Sequence, residues 1–147
     1  MKFSIETSTF SRELFKVQGI AGSKSTQPIL HNALIEAHAD GRVTVSATDN
    51  EITVVTSSEA RVEVPGRVTI RAKDLFDTLK SGVRSEAVTL EREDEGLGVR
   101  LTAGTLKVRF NGLDPVEYPA LPRIEGVNLV ALPTERLMRV IDRVLPA

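Results

Sequence analysis

The sequence predicts an α+β domain in which two strand, helix and three-strand units place both helices on one face of antiparallel sheets. Apolar and polar residues alternate, as in half-buried strands, over much of the chain. Three shorter segments have the spacing of amphipathic helices, and these segments recur at a nearly constant interval of about 61 residues. Together, the alternation and the internal repeat predict this fold class.

The strand-like runs are short and are separated by turn-forming residues. Asp40-Gly41, Glu95-Gly96 and Ala103-Gly104 each supply a residue that tolerates positive φ, which indicates tight turns between neighbouring strands. This order is typical of an antiparallel meander. The clearest runs are 34–37, 43–47, 52–56, 88–90, 99–101 and 106–110.

Three segments carry apolar residues at helical spacing and are predicted to be helices. We expect Ser8 to cap the first helix and Pro133 to lie at the start of the third. The apolar stripes are Phe10, Leu14 and Val17; then Leu75, Phe76 and Leu79; then Leu137, Met138, Val140 and Ile141.

The three helical segments superimpose when Leu14, Leu75 and Leu137 are aligned, with spacings of 61 and 62 residues. We therefore expect one repeat at about 1–62 and a second at 63–111. Residues 112–126 contain three prolines and little periodicity, which indicates a connector between domains.

A third unit is predicted to begin at residue 127, with a strand from Asn128 to Leu132 and a helix from Thr134 to about Leu145. The sequence stops at Ala147 before the strands that would cover this helix. We expect the apolar stripe of the helix to be exposed and the chain to be a truncated piece of a longer protein. The stripe consists of Leu137, Val140, Ile141 and Val144.

The composition gives no overall electrostatic preference, since 19 basic residues are balanced by 20 acidic ones. There is no cysteine and no apolar run long enough to span a bilayer. We expect a soluble, cytoplasmic protein without a membrane partner, in which any basic surface depends on how the charges are sorted.

The stretch GIAGSKST at 19–26 is similar to a phosphate-binding loop, but it lacks the required pattern. Ser23 replaces the glycine before Lys24, the two glycines are too close together, and the segment follows a predicted helix. The sequence therefore argues against a nucleotide site and leaves Lys24 in a Gly/Ser loop.

The best catalytic or metal-binding set combines Asp49 and Glu51 with His31 or His38. The two acids share one face of a strand, but neither histidine has an informative spacing to them. Asp49 is more simply explained as the cap of a turn before a strand. We expect a protein that is not an enzyme and that uses no metal or cofactor.

Several motifs, spread in order over residues 1–122, carry a family resemblance. They are MKFSIE at 1–6, GSKSTQPIL at 22–30, ATD at 47–49, EVPG at 63–66, AKDLFD at 72–77 and EYP at 117–119. With these motifs the chain resembles the N-terminal domain of the bacterial DNA polymerase III beta subunit, the replicative sliding clamp. Residues 127–145 resemble the start of the second domain of that family.

The resemblance implies the DNA-clamp fold and a non-catalytic processivity factor of the DNA polymerase holoenzyme in DNA replication. In this family three domains, each of two repeats, form a subunit, and two subunits close head to tail around duplex DNA as a homodimer. The resemblance further implies that the polymerase and the clamp loader bind through domains that this chain lacks.

Phosphate contacts without base readout suit a protein that slides on DNA, and long basic side chains can supply them. Arg12 and Lys16 share one stripe of the first helix, and Lys73 and Lys80 share one stripe of the second. The alternative is an ordinary solvated face of mixed charge. With Lys24, which lies where the family has a basic loop residue, and Arg139 of the third helix, these residues are the DNA-binding candidates.

The resemblance implies that the strand from Leu106 to Asn111 is an edge that pairs with the third domain of the other subunit. Lys107 and Arg109 suit such an edge, since charges discourage promiscuous strand pairing. The interface candidates are Leu106, Lys107, Val108, Arg109 and Phe110; we expect Val108 and Phe110 to pack mainly in the core. An alternative function is a free-standing single-domain module that binds a partner through this edge rather than forming a ring.

Overall fold

A computed structural model of the chain describes residues 1–21, 25–121 and 130–145. Helices in these residues are α1 (Thr7–Gln18), α2 (Ala72–Gly82) and α3 (Thr134–Val144), with short 3₁₀ helices at Pro28–His31 and Pro115–Glu117. The strands are β1 (Lys2–Glu6), β2 (Asn32–Ala37), β3 (Arg42–Thr48), β4 (Thr53–Glu59), β5 (Arg61–Val64), β6 (Gly66–Arg71), β7 (Ala87–Arg92), β8 (Gly98–Ala103) and β9 (Leu106–Asn111).

The strands form two antiparallel sheets with the orders β5-β1-β7-β8-β9 and β4-β3-β2-β6. The first strand of each unit joins the sheet of the other unit: β1 pairs with β7, and β6 pairs with β2. The predicted α+β fold with two strand, helix and three-strand units is thus confirmed. Because the units exchange strands, neither can complete its own sheet alone.

The strand β5 was not predicted from the sequence. The chain leaves β4 at Ala60 and passes from the four-stranded to the five-stranded sheet, where Val62 of β5 lies opposite Phe3 of β1. This pairing joins residues far apart in the sequence, so local alternation over four residues could not reveal it. The predicted turns are confirmed, with positive φ at Gly41, Gly96 and Gly104.

The core lies between the helices and the sheets. Leu14 of α1 and Leu75 of α2, the aligned residues of the repeat, are both completely buried. The rings of Phe3 and Phe10 meet edge to face with centroids 5.9 Å apart, a favoured aromatic geometry. The two helices contact each other, and α1 also packs against β3 and β4.

The predicted cap of α1 is wrong. The helix begins at Thr7 with Glu6 as its N-cap, and Ser8 lies inside the first turn. Since β1 runs directly into α1, the last strand residue occupies the cap position. Its carboxylate accepts hydrogen bonds from the hydroxyls of Ser8 and Thr9.

The first part of the predicted connector packs against the two-sheet domain. Tyr118 is buried, and its hydroxyl donates to the carbonyl oxygen of Asn32 at 3.2 Å. The hydroxyl of Thr69 donates to the carbonyl oxygen of Leu113 at 2.7 Å and accepts from its N–H at 2.9 Å. These bonds fasten residues 113–118 to β2 and β6.

The third helix has the predicted amphipathic stripe, and this stripe is exposed. Its four apolar residues Leu137, Val140, Ile141 and Val144 are 44–62% accessible. The predicted strand at 128–132 is wrong for residues 130–132, which are not in a strand, whereas 128 and 129 lie outside the described residues. Residues 130–132 have no neighbouring strand in the described part of the chain, and an extended segment is not stable as a strand without a partner.

Candidate nucleic-acid interface

The surface of α1 and α2 carries most of the predicted nucleic-acid contacts. With Leu14 and Leu75 in the core, the following residues Phe15 and Phe76 lie at the seam between the helices. Their ring centroids are 5.9 Å apart and their planes are tilted by 43°. Phe15 is 63% exposed. The repeat therefore places two aromatic side chains in contact, with Phe15 exposed and Phe76 partly buried against the core.

Basic side chains flank this aromatic pair. Arg12 precedes Phe15 by three residues on α1, and Lys80 follows Phe76 by four on α2, so each cation shares a stripe with a ring. Both cations, both rings and the hydroxyl residue Ser11 line one cleft of about 500 Å³. Ser8 completes its lining.

A buried carboxylate holds the two basic residues of α1. Lys16 Nζ donates to Glu13 Oε2 at 2.7 Å, and Arg12 Nε donates to Glu13 Oε1 at 3.3 Å. Burial raises the pKa of Glu13, but the hydrogen bonds from Lys16 and Arg12 outweigh it and leave that pKa below its usual value. Arg12 and Lys16 therefore reach the surface partly neutralised.

The two lysines of α2 are less restrained. Lys73 and Lys80 are exposed, and neither forms an ion pair within residues 1–21, 25–121 and 130–145. The acid Asp74 lies on another flank of α2, where it lines a second cleft with Arg71 and Arg109. Lys73 and Lys80 are thus available to an anion approaching the helices.

The remaining DNA-binding candidates are not on α1 or α2. Lys24 and its neighbour Ser23 lie outside the described residues. Close to them in the sequence, Ser25 Oγ accepts a hydrogen bond from the N–H of Gln27 at 3.0 Å, so this hydroxyl stabilises a local turn. Arg139 is exposed on α3.

The strand β9 ends the five-stranded sheet, and its outer edge has no partner strand in the described part of the chain. Lys107 and Arg109 are exposed, whereas Phe110 is 9% accessible and belongs to the core. Val108 is partly buried against the same core, and Leu106 is also partly buried. The edge therefore offers backbone groups and two basic side chains.

Arg109 is held on the sheet by an acid from the β7–β8 turn. Arg109 Nε donates to Glu93 Oε2 at 2.8 Å, and Arg100 Nη2 donates to Glu93 Oε1 at 3.0 Å. The hydrogen bond from Arg109 is the main cause that keeps the pKa of Glu93 below its usual value. The bridge fixes the orientation of Arg109 beside the free edge.

The residues considered as a catalytic set have other roles. Asp49 Oδ1 accepts hydrogen bonds from the N–H groups of Glu51 at 3.0 Å and Ile52 at 2.7 Å, which confirms its interpretation as a turn cap. The bond from Ile52 is the largest cause of the lowered pKa of Asp49. His38 is within 3.2 Å of the hydroxyl of Thr44, and His31 ends a 3₁₀ helix.

Neither a metal cluster nor a membrane span is found in the described residues. Among residues 1–21, 25–121 and 130–145, no three or more His, Asp or Glu side chains converge as metal ligands would. In the same part of the chain no helix combines the length and the apolar character needed to cross a bilayer.

Two features of this surface were not predicted from the sequence: the aromatic pair and the role of Glu13. The alignment of the repeats indicates the aromatic pair, because Phe15 and Phe76 follow the aligned leucines. The i, i+3 spacing of Glu13 and Lys16 indicates that Glu13 can hold a basic residue of the same helix. Neither pattern shows which side chain is buried, and burial decides what these residues do.

The fold is that of a sliding-clamp domain. A crystal structure of the DNA polymerase sliding clamp from Bacillus subtilis superimposes with a TM-score of 0.94 at 26% identity, covering 100% of this chain and 40% of that one. The family model "DNA polymerase III beta subunit, N-terminal domain" matches residues 1–122. The chain therefore belongs to the DNA polymerase III beta subunit family.

Curated relatives support the same assignment. The beta sliding clamp of Synechocystis is 32% identical over 143 residues, which cover 93% of this chain and 36% of the relative. The beta sliding clamp of Caulobacter vibrioides is 27% identical over 143 residues, covering 97% of this chain and 38% of the relative. The chain thus spans less than two-fifths of the length of these relatives.

Proposed function

We propose that this chain is the N-terminal part of a processivity factor, a sliding-clamp subunit that helps to encircle duplex DNA and tethers the replicative polymerase without catalysing a reaction. The family match over residues 1–122 carries this proposal. In it, residues 1–122 are the N-terminal domain, and residues 127–147 begin the second domain. The match to relatives named "Beta sliding clamp" supports a role in DNA replication, and the cytoplasm is the proposed setting.

The surface of α1 and α2 is the proposed contact to duplex DNA. Exposed Lys73 and Lys80 are free to meet phosphates, and Arg12 and Lys16 reinforce them at a lower effective charge. Such contacts carry no sequence information, so they can be exchanged as the duplex moves. Lys24 and Arg139 are proposed to extend this surface beyond the helix pair.

The outer edge of β9 is the proposed contact to a second subunit in a head-to-tail homodimer. Edge backbone groups can extend the five-stranded sheet across a subunit boundary, and Lys107 and Arg109 can meet acids on the partner. Leu106 and Val108 add apolar area at this edge. In this proposal the polymerase and the clamp loader bind to parts of the subunit beyond this chain.

The same free edge supports a second candidate, a single-domain module that binds a partner by strand addition. The two candidates differ in what the helix surface does. A clamp needs the basic residues of α1 and α2 for binding to DNA, whereas a strand-addition module needs only β9.

A salt series with a blunt DNA duplex tests the proposed function. We expect Lys73→Glu combined with Lys80→Glu to weaken binding and to flatten the dependence of log K on log salt by about 0.9 for each phosphate that is no longer neutralised. Lys107→Glu combined with Arg109→Glu is the control, because it makes a charge change of the same size on β9. If the helix variants and the control weaken binding equally, the helix surface is not the DNA contact and the proposal fails.

A further inference from the structure

We propose that the cleft between α1 and α2 binds an unpaired base of single-stranded nucleic acid, which stacks on Phe15 while its phosphates meet Arg12 and Lys80. The proposal goes beyond sliding on duplex DNA, where bases are stacked on one another and only the backbone is offered. It rests on the described geometry of the cleft and shares Arg12 and Lys80 with the proposed duplex contact.

The exposure of Phe15 is the first observation. Phe3 and Phe10 are fully buried, whereas 63% of Phe15 is accessible to solvent. Phe76 touches Phe15 at a tilt of 43° rather than stacking on it, so it leaves ring surface of Phe15 uncovered. An uncovered aromatic face is what a nucleobase stacks on, and each such stack contributes substantially to single-strand binding.

The charge of the cleft selects the class of ligand. Its described lining contains the cations Arg12 and Lys80 and the hydroxyl residues Ser8 and Ser11, and no carboxylate. An apolar peptide would cover the rings but would leave Lys80 without an anionic partner in the described part of the chain, where Arg12 already meets Glu13. A nucleotide satisfies both features, because its base is aromatic and its phosphate is anionic.

The spacing of these groups along the helices supports the same ligand. Each helix presents one ring and one cation on a common stripe, Phe15 with Arg12 on α1 and Phe76 with Lys80 on α2. The cleft is shallow and open to solvent, so a base can approach the exposed ring of Phe15 from outside. The site can therefore take a base together with its adjoining phosphate.

An NMR titration of this chain with a short oligothymidine tests the proposal. We expect the ring protons of Phe15 to move upfield through the ring current of the bound base. Phe15→Ala should weaken oligothymidine binding about 5-fold or more, from the measured contribution of base stacking. Phe15→Leu should weaken it comparably, since leucine keeps apolar area but has no aromatic face.

Val116→Ala is the control, because it truncates an apolar residue that is also well exposed but lies away from the helix pair. It should leave oligothymidine binding unchanged. Full oligothymidine affinity in Phe15→Leu would overturn the proposed stacking, and so would ring protons of Phe15 that do not move. Either result would leave the cleft as an apolar contact surface for another partner.

The blunt duplex separates this proposal from the sliding function. If duplex binding depends on Lys73 but oligothymidine binding does not depend on Phe15, only the proposed stacking site is refuted. If oligothymidine binding depends on Phe15 but duplex binding does not depend on Lys73 and Lys80, only the proposed duplex contact is refuted.

Discussion

The ammonium of Lys16 donates a 2.7 Å hydrogen bond to the carboxylate of Glu13, whose side chain is only 6% accessible while that of Lys16 is 49% accessible. The bridge links a buried acid to a cation on the surface proposed to meet DNA. Arg12 approaches the second oxygen of the same carboxylate. In the proposed DNA contact, phosphates would compete with Glu13 for both cations of α1.

Removing the charge of Glu13 should strengthen duplex binding. Glu13→Gln keeps a hydrogen-bond acceptor but frees one positive charge on α1, so the slope of log K against log salt should steepen by up to about 0.9. Binding isotherms over a salt series measure this change. Glu95→Gln makes the same charge change in the exposed β7–β8 turn, and an equal gain in that variant would show that only net charge matters.

Acid should destabilise the fold through carboxylates whose pKa is lowered in the native state. The N–H groups of Ile52 and Glu51 favour the ionised form of Asp49 and lower the pKa of its carboxyl group. The resulting stabilisation of the fold is complete above the unfolded pKa near 3.8 and is lost as the pH falls below that value. Asp49→Asn should flatten the fall of Tm with acid in this range. Asp94→Asn, in the turn after β7, is the control; an equal flattening there would contradict the role of the cap.

Tyr118 should make stability sensitive to alkali. Burial raises the pKa of Tyr118 to about 12 from the ordinary value of 10.0, so the neutral phenol stabilises the fold below pH 10 and this contribution is lost as pH rises toward 12. The full shift corresponds to at most about 3 kcal/mol. Denaturant unfolding at several pH values measures the change.

The variant Tyr118→Phe should lose this alkaline dependence. It should also cost about 1 kcal/mol near neutral pH, because the hydrogen bond to the carbonyl oxygen of Asn32 is removed. An unchanged alkaline limb in the variant would mean that another group causes the loss of stability.

Substitution of Gly112 should destabilise the domain. A Cβ at this position would lie 2.5 Å from the carbonyl oxygen of Thr69 and 2.8 Å from that of Leu97, and both are backbone atoms that cannot turn aside. Gly112→Ala should therefore cost about 1–3 kcal/mol or more in denaturant unfolding. Gly19→Ala is the control, since a Cβ there meets nothing within 4 Å and the backbone is helical. Equal costs for the two variants would rule out the clash.

The local and periodic features of the fold could be predicted from the sequence. The aligned leucines Leu14 and Leu75 are both buried, and glycines predicted for turns, such as Gly41, have positive φ. These features depend on a few neighbouring residues or on a repeat, so they can be predicted from a single sequence. The spread of motifs over residues 1–122 also indicated the family, which the family model confirms.

The tertiary structure alone decided which distant residues meet. It paired β5 with β1, exchanged β1 and β6 between the repeats, and placed the hydroxyl of Tyr118 on β2. It also buried Glu13 while leaving Phe15 exposed, although both flank Leu14 in the sequence. Burial and strand pairing depend on surfaces contributed by residues far away along the chain, and local sequence does not encode those surfaces. The sequence therefore determined the elements and the family, and the packing of those elements determined the surface that we propose binds nucleic acid.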